Sequence, residues 1–282
     1  MPRSASVIAV NFAVSSLPFC LQKFEAEAPQ GVACNPMPYI DFKQLVQLEP
    51  LCTPEDKPDL CWNSIARSHS GRVRDVNEDA FYHSTEQGIW AVADGMGGLA
   101  RGDYASGVVA EAFVHFNKLS TLALNIRDLE TRLRDAHHKC RNSFPGEPVG
   151  STVAALFSYG AYVFFLWAGD SRVYRLRQDQ LEQMTQDHTL AQEQNATHPS
   201  ADLLTRAVGV HQTLHLDLDY SVVEPGDRYL ICSDGLHKEL SSQQLQQALS
   251  QTPARQALDN LVEGALGNGG HDNITALIVD AL

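Results

Sequence analysis

The chain has 282 residues, with 21 Lys and Arg against 34 Asp and Glu and a formal net charge of −13. That length allows one sizeable domain and a further segment. The acidic balance, with no Lys/Arg-rich run, argues against non-specific nucleic-acid binding, and no uncharged apolar run of about 18 residues predicts a membrane span.

Residues 1–61 differ from the rest in being rich in Pro and small residues, and they read as an extension. Val7 to Leu21 is mildly apolar behind Arg3, yet Asn11, Ser15, Ser16 and Pro18 interrupt it. The nearest A-x-A triplet, Ala26-Glu27-Ala28, sits between Glu25 and Pro29 and makes a poor cleavage site, so a cytoplasmic location is expected. Residues 40–51 fit a short helix and 53–59 a linker, which puts the boundary of the main domain near Trp62, with 62–282 beyond it. The six cysteines form no C-x-x-C pair, which disfavours structural zinc. Cys232 lies in an apolar run and reads as a buried thiol.

From residue 65 the periodicity sharpens. Strands are predicted near 65–69, 80–84 and 88–93. A helix follows over 103–119, with Tyr104, Val108, Ala112 and Phe116 on one face, and another over 124–140, with Leu129, Leu133 and Ala136. Strands over 152–158, 161–167 and 172–177 are joined by turn residues and read as antiparallel neighbours. Two more are predicted over 214–223 and 227–233. Helices at 241–249, with Ser241 as N-cap, and 253–266, with Pro253 in its first turn, precede a last strand at 274–279. Meandering strands with helices inserted in two blocks indicate an α+β class.

Acidic residues recur at strand ends. Asp94 and Gly95 follow the apolar run 89–93, Asp234 and Gly235 follow 229–233, and Asp170 follows 162–168. Asp272 and Asn273 precede the last strand, and Asn77-Glu78-Asp79 precedes the second. Any one is an ordinary turn signal. Several converging carboxylates would repel one another, and protonation or cations must relieve that. The glycine after Asp94 would allow positive φ and bring a carbonyl to the same place. Oxygen donors of this kind suit a hard divalent cation.

Seven segments then occur in order: Arg74-Asp75-Val76-Asn77-Glu78-Asp79, Ala93-Asp94-Gly95-Met96-Gly97-Gly98, Gly150-Ser151-Thr152, Ala168-Gly169-Asp170-Ser171-Arg172, Leu204-Thr205-Arg206-Ala207-Val208-Gly209, Ser233-Asp234-Gly235-Leu236 and Asp272-Asn273-Ile274-Thr275. Each is weak alone. Together they resemble the metal-dependent protein phosphatases of the 2C type in their bacterial form, over residues 62–282. The resemblance implies a β-sandwich of two antiparallel sheets flanked by helix pairs. It also implies hydrolysis of phosphoserine and phosphothreonine by a water activated between metals, opposite a bacterial Ser/Thr kinase, with a phosphorylated protein as partner. It assigns Asp94 to bridge two metals, the Gly95 carbonyl to the second, and Asp234 and Asp272 to the first. Asp79 is placed near the pair, and Asp170, sharing Asp234, at a third. Arg74 grips the substrate phosphate, and Glu78 and Asn273 orient these groups. Two or three Mn²⁺ or Mg²⁺ are therefore expected, since the donors include no His or Cys. The stretch around Ala100-Arg101-Gly102-Asp103-Tyr104-Ala105-Ser106 is similar to phosphatases encoded with type VI secretion systems.

Three departures stand against that pattern. Met96 and Leu99 occupy positions where family members carry a histidine assigned as general acid, leaving metal-bound water or His69 as the proton source. The segment 188–204, a flap in the family, is short. Residues 1–61 match nothing. Two alternatives follow: a pseudophosphatase that binds without turnover, and a hydrolase of small phosphate esters, which would need a more enclosing pocket. Arg101 and Arg172 are further candidates for substrate contact, weighed against ordinary surface ion pairs.

Overall fold

The computed structural model describes residues 42–52, 60–96, 101–147, 149–194 and 202–282. The leader-like stretch, the linker at 53–59, Leu99 and the loop at 195–199 lie outside the described residues. In chain order the elements are α1 (Phe42–Cys52), β1 (Trp62–His69), β2 (Asp79–Ser84), β3 (Ile89–Met96), α2 (Gly102–Val114) and α3 (Leu122–Ser143). Next come β4 (Gly150–Ser151), β5 (Val153–Tyr159), β6 (Tyr162–Ala168), β7 (Arg172–Arg177), β8 (Gln180–Gln183) and α4 (Leu190–Gln194). The chain continues with β9 (Asp217–Val222), β10 (Arg228–Cys232), α5 (Asp234–His237), α6 (Ser242–Leu249), α7 (Ala254–Gly267) and β11 (Ile274–Ala281).

Period-two alternation sorts the strand residues onto two faces. In β3, Ile89, Ala91 and Ala93 face a helical layer and pack with Val109 and Phe113 of α2 and Ile126, Leu129 and Leu133 of α3. Trp90 and Val92 point the other way, into a sandwich interior shared with Phe165, Trp167, Tyr229, Ile231, Leu277 and Val279. The opposite faces of β10 and β11, with Leu230 and Ile278, meet Leu245 and Leu249 of α6 and Leu258, Leu261 and Val262 of α7. The result is four layers: helices, sheet, sheet, helices. One sheet runs β2-β3-β5-β6-β9 with β4 beside β3, and the other runs β1-β11-β10-β7-β8. Every pairing is antiparallel. Among the described residues no helix is long and apolar enough to cross a membrane.

Three sequence expectations need correction, and the helix expected over 40–51 gains a docking place. β3 does not stop before Asp94; it continues to Met96, because Gly95 and Met96 find partners in Ser151 and Gly150. The helix predicted to 119 ends at Val114. Phe116 still turns inward, which prolonged the apparent period, but its N–H bonds Phe113 O in a tighter turn. β6 and β7 are not sheet neighbours, since the turn at 169–171 carries the chain from one sheet to the other. Gly169 there has φ +112°, and a Cβ would lie 2.6 Å from Thr152 Cγ2. Finally, α1, within the stretch read as an extension, seats Leu45 and Cys52 in the α2–α3 cluster, and Ala161 N donates to Cys52 O at 2.7 Å. The cysteines Cys52, Cys61, Cys140 and Cys232 are free, and Cys232 is buried as expected. Ser241 caps α6 through a full capping box with Gln244.

Strand register fixes where the acids meet. His69 pairs with Ile274, Cys232 with Ala276, and Arg172 with Cys232, so the end of β1, the start of β11, the end of β10 and the start of β7 share one edge of their sheet. In the other sheet Asp79 pairs with Asp94, and Val153 with Ala168. The acidic segments all emerge from this end of the sandwich.

Candidate metal centre

Asp79 and Asp94 are direct cross-strand partners, so their side chains leave the same face of the sheet side by side. Asp94 is locked by its backbone: its N–H donates to Thr152 Oγ1 at 3.0 Å, and its carbonyl accepts from Thr152 N at 2.9 Å. Across the sandwich, Ser233 Oγ donates to Asp79 Oδ2 at 2.7 Å while accepting from Thr275 N at 2.9 Å. That pair of bonds ties the two sheets together at the acidic end. Asp234 follows at the first turn of α5, close enough for its charge to act on the Asp94 carboxyl.

Gly95 is required for closeness and not for a left-handed backbone. A Cβ there would sit 2.1 Å from Gly102 O and 2.5 Å from Glu78 O. Its N–H donates to Glu78 O at 3.0 Å, and Glu78 Oε1 in turn accepts from Gly102 N at 3.0 Å at the start of α2. Asn273 knits the neighbouring loop: its Oδ1 accepts from Glu78 N at 2.8 Å, and its Nδ2 donates to Ser70 O and Val76 O at 2.9 Å. Glu78 and Asn273 thus hold the backbone around the carboxylates in place.

Of the remaining acids, Asp272 lies on the rim and Asp170 deeper. Asp272 Oδ2 accepts from Arg74 Nη2 at 2.8 Å, on a loop where both side chains are partly exposed. Asp170 is buried at the sheet-crossing turn, with its carbonyl bonded by His237 Nε2 at 2.9 Å. Lys238 Nζ lies 2.6 Å from Asp234 Oδ2 and 3.5 Å from Asp170 Oδ2.

Electrostatics distinguish this cluster from an ordinary surface. Burial first, then the charges of Asp234 and Asp272, push Asp79 up to about 7, against the hydrogen bonds of Ser233 and Thr275. Asp94 is pushed well above the carboxylate range by burial and by Asp234, Asp79 and Asp170. Asp170 rises to about 7 through burial and Asp234. Burial would also raise Asp234, but Lys238 overrides it and holds that carboxyl low.

Among the described residues no three His, Cys, Asp or Glu side chains already form a closed cation cage. The acids take internal partners instead: Ser233, Lys238 and Arg74. The donor set nevertheless fits a hard divalent ion. Asp79 Oδ1 and Asp234 Oδ1 are buried oxygens without a hydrogen-bond partner, and buried carboxylates that face one another without counter-charge are costly.

Residues 67–266 match the family described as Protein phosphatase 2C. The chain belongs to that family. It is 33% identical over 231 residues to the serine/threonine protein phosphatase PstP of Mycobacterium tuberculosis, covering 77% of this chain but 44% of that protein. Against the serine/threonine phosphatase Stp of Listeria innocua it is 30% identical over 236 residues, covering 76% of this chain and 94% of that one. Among solved structures, PppA, a key regulatory component of T6SS in Pseudomonas aeruginosa, superposes with a TM-score of 0.75 at 41% identity, over 78% of this chain and 98% of the other. The catalytic domain of PstP in complex with 2 manganese ions gives a TM-score of 0.70 at 32% identity, over 79% of this chain and 100% of that one.

Within this protein phosphatase 2C domain several candidates find other work. Arg172 holds Asp187 through Nε at 2.8 Å and Nη2 at 2.7 Å, and Tyr174 OH through Nη1 at 2.8 Å, so its fork is spent inside the domain. Arg101 pairs with Glu147 and stacks 4.3 Å over the Phe144 ring. His69 Nδ1 accepts from Gly71 N at 2.9 Å and shapes the turn that leads to Arg74. Met96 packs beside Gly150, where a Cβ would meet its Cγ at 3.5 Å, and a thioether has no proton to give. The flap base is anchored. His188 stacks on Trp167 and bonds Asp217 at 3.1 Å, Leu190 N donates to Leu203 O, and Thr205 N to His188 O.

Ser233, Thr152 and Lys238 carry geometry that motif reading did not assign to them. Only Lys238 left a readable signal, its i+4 spacing from Asp234 across one helical turn.

Proposed function

We propose that this chain is a metal-dependent phosphatase acting on phosphoserine and phosphothreonine in proteins. Its centre would use Asp94, Gly95, Asp79, Asp234 and Asp272 toward two Mn²⁺ or Mg²⁺ ions. The catalytic domain is taken as 62–282, with the segment before it an extension whose α1 docks on the core. The reading is carried by one observation: two cross-strand carboxylates meet a third from the other sheet, and buried oxygens of Asp79 and Asp234 face inward unpartnered. The family and its phosphatase relatives support the same chemistry.

When bound, such ions supply a nucleophile from water at neutral pH and offset charge on the phosphoryl oxygens. The chain's own residues do the rest. Ser233, Thr152 and the Gly95–Glu78 backbone contact hold the carboxylates in fixed positions, so little reorganisation is needed as charge develops. Arg74 donates one N–H to Asp272, which fixes the guanidinium at the rim. Its remaining N–H groups can bind two phosphate oxygens at once, which an ammonium cannot do with the same geometry. Arg74 is 54% exposed, so a phosphoresidue on a protein surface can reach it. A cytoplasmic setting opposite a Ser/Thr kinase, within a type VI secretion context, is the finer reading. It is supported by the likeness to PppA.

The test is hydrolysis of a phosphothreonine peptide by the full chain in chelator, in Mg²⁺ and in Mn²⁺, beside Asp234→Asn. Turnover that needs either ion and disappears in the variant is expected. Metal binding without turnover would leave a binding module.

A further inference from the structure

Asp170 and Asp234 are the two carboxylates that would share a third ion, yet a side chain of this chain already spans them. Lys238 stands one helical turn beyond Asp234, its N–H bonded to Asp234 O at 2.9 Å. Its Nζ lies 2.6 Å from Asp234 Oδ2 and 3.5 Å from Asp170 Oδ2. The backbone that carries Asp170 is fixed. Asp170 sits on the sheet-crossing turn, behind Gly169 at φ +112° and under the His237 bond to its carbonyl. A divalent ion of this class lies about 2.0–2.2 Å from carboxylate oxygens. An ammonium within bonding distance of Asp234 Oδ2 and close to Asp170 Oδ2 covers that position and repels a second cation from it.

We propose that Lys238 is a built-in cation in place of a third divalent ion, so that the centre of this chain takes two ions and no third. The inference rests on the two-ion reading given above and adds to it. Lys238 also acts as a positioning residue for that pair. The ammonium takes Oδ2 of Asp234 and leaves Oδ1, the oxygen buried without a partner, for an ion of that pair.

The experiment counts Mn²⁺ per chain by equilibrium dialysis, with the free ion read by electron paramagnetic resonance and folding checked by circular dichroism. The full-length wild type, Lys238→Gln, Lys238→Met, Lys238→Arg and the double variant Lys238→Gln/Asp170→Asn are compared. The wild type and Lys238→Arg should saturate at two ions. Lys238→Gln or Lys238→Met should gain a third, weaker ion, which the double variant should lose. A third ion in the wild type, or only two in both neutral variants, overturns the role of Lys238 while leaving the two-ion centre intact. No ion in the wild type, or binding unaltered by Asp94→Asn, overturns the two-ion reading itself and this inference with it.

Discussion

β10 has a buried carboxylate at each end, and the two are treated in opposite ways. Before the strand, Asp227 is fully enclosed and fully answered. Arg177 grips both its oxygens at 2.6 Å, Tyr229 OH donates at 3.1 Å and Glu224 N at 2.9 Å. After the strand, Asp234 meets other carboxylates, Asp94 above all, and keeps one oxygen unpartnered. The first site is complete within the chain. The second has Lys238 on one oxygen of Asp234 and is complete only when a further cation joins the acids facing it. A balanced buried acid marks structure, and a crowded one marks a binding site.

The largest expected effect breaks the second site. Asp94→Asn should lower kcat/KM on a phosphopeptide by at least about 10³-fold, on the scale of losing a preorganised electrostatic group. Its unfolding free energy in chelator should not fall, because the amide is a neutral match in shape for a carboxyl that the cluster already pushes toward its protonated form. Mn²⁺-dependent turnover by peptide assay and urea unfolding on the same preparation read both halves. A variant that loses activity by unfolding would erase the contrast with Asp227.

The mirror experiment is Asp227→Asn. It removes the buried one of two carboxylates on the partly exposed Arg177 guanidinium, which keeps Glu224, and it places a neutral amide among donors aimed at a carboxylate. The expected loss is about 3–5 kcal/mol of stability, as for other broken buried ion pairs. Activity per folded molecule should be retained, and a denaturant titration beside the peptide assay separates the two. A similar loss of turnover in the folded fraction would mean that the two ends of β10 are coupled.

Proton linkage sharpens the comparison without mutation. In chelator, Asp79 and Asp170, raised to about 7, hold protons that their unfolded counterparts, near about 3.9, have released. The folded state therefore binds more protons between these limits, and stability should fall as pH rises from about 4 to about 7. Saturating Mn²⁺ should abolish the fall, since a cation holds the carboxylates ionised. Unfolding curves with and without Mn²⁺ across that window check the sign. A rise with pH in chelator would contradict the crowding.

How much of this was legible in the sequence follows the same division. Asp79, Asp94, Asp170, Asp234 and Asp272 could be picked out because each sits where an apolar run meets a turn, a purely local signal. Helices and strands followed from period-3.6 and period-two patterns and the two-sheet sandwich from the family resemblance, while Ser241 marked the cap of α6 and Pro253 stands just before α7 and not within it. What could not be read was long-range. β3 runs on through Gly95 and Met96 because Gly150 and Ser151 lie beside it. The turn at Asp170 changes sheets, which no alternation pattern records. Ser233 looked like one letter of a motif, yet it braces Asp79 across 154 residues of chain. Gly95 looked like a turn glycine, and the contact that requires it is Gly102 O.

Arg74 belongs to neither balanced nor crowded class, since it has one partner and spare donors. Arg74→Lys should keep the charge but lose the fork, lowering kcat/KM about 10–100-fold, as for one or two charged hydrogen bonds. Mn²⁺ affinity should change little. Steady-state kinetics beside the dialysis titration separate phosphate contact from metal binding. An equal drop in both would assign Arg74 to holding Asp272.

The smallest effect tests the brace itself. Ser233→Ala removes the hydroxyl that donates to Asp79 Oδ2 and accepts from Thr275 N. Without that donor the Asp79 carboxyl holds its proton more firmly, so a cation must compete with it harder. Mn²⁺ affinity near pH 6.5 should drop roughly three- to tenfold, the worth of about one hydrogen bond. The deficit should shrink above about pH 8, where Asp79 is ionised with or without the hydroxyl. A deficit that stays constant with pH would mean that Ser233 acts by placing the Asp79 oxygens and not by tuning their charge. The same variant should also lose about 1 kcal/mol of stability, because the buried Thr275 N–H is left without its acceptor. Comparing that loss with the far larger one expected at Asp227 measures how lightly the acidic end is braced for its fold, and how much of its design is reserved for what it binds.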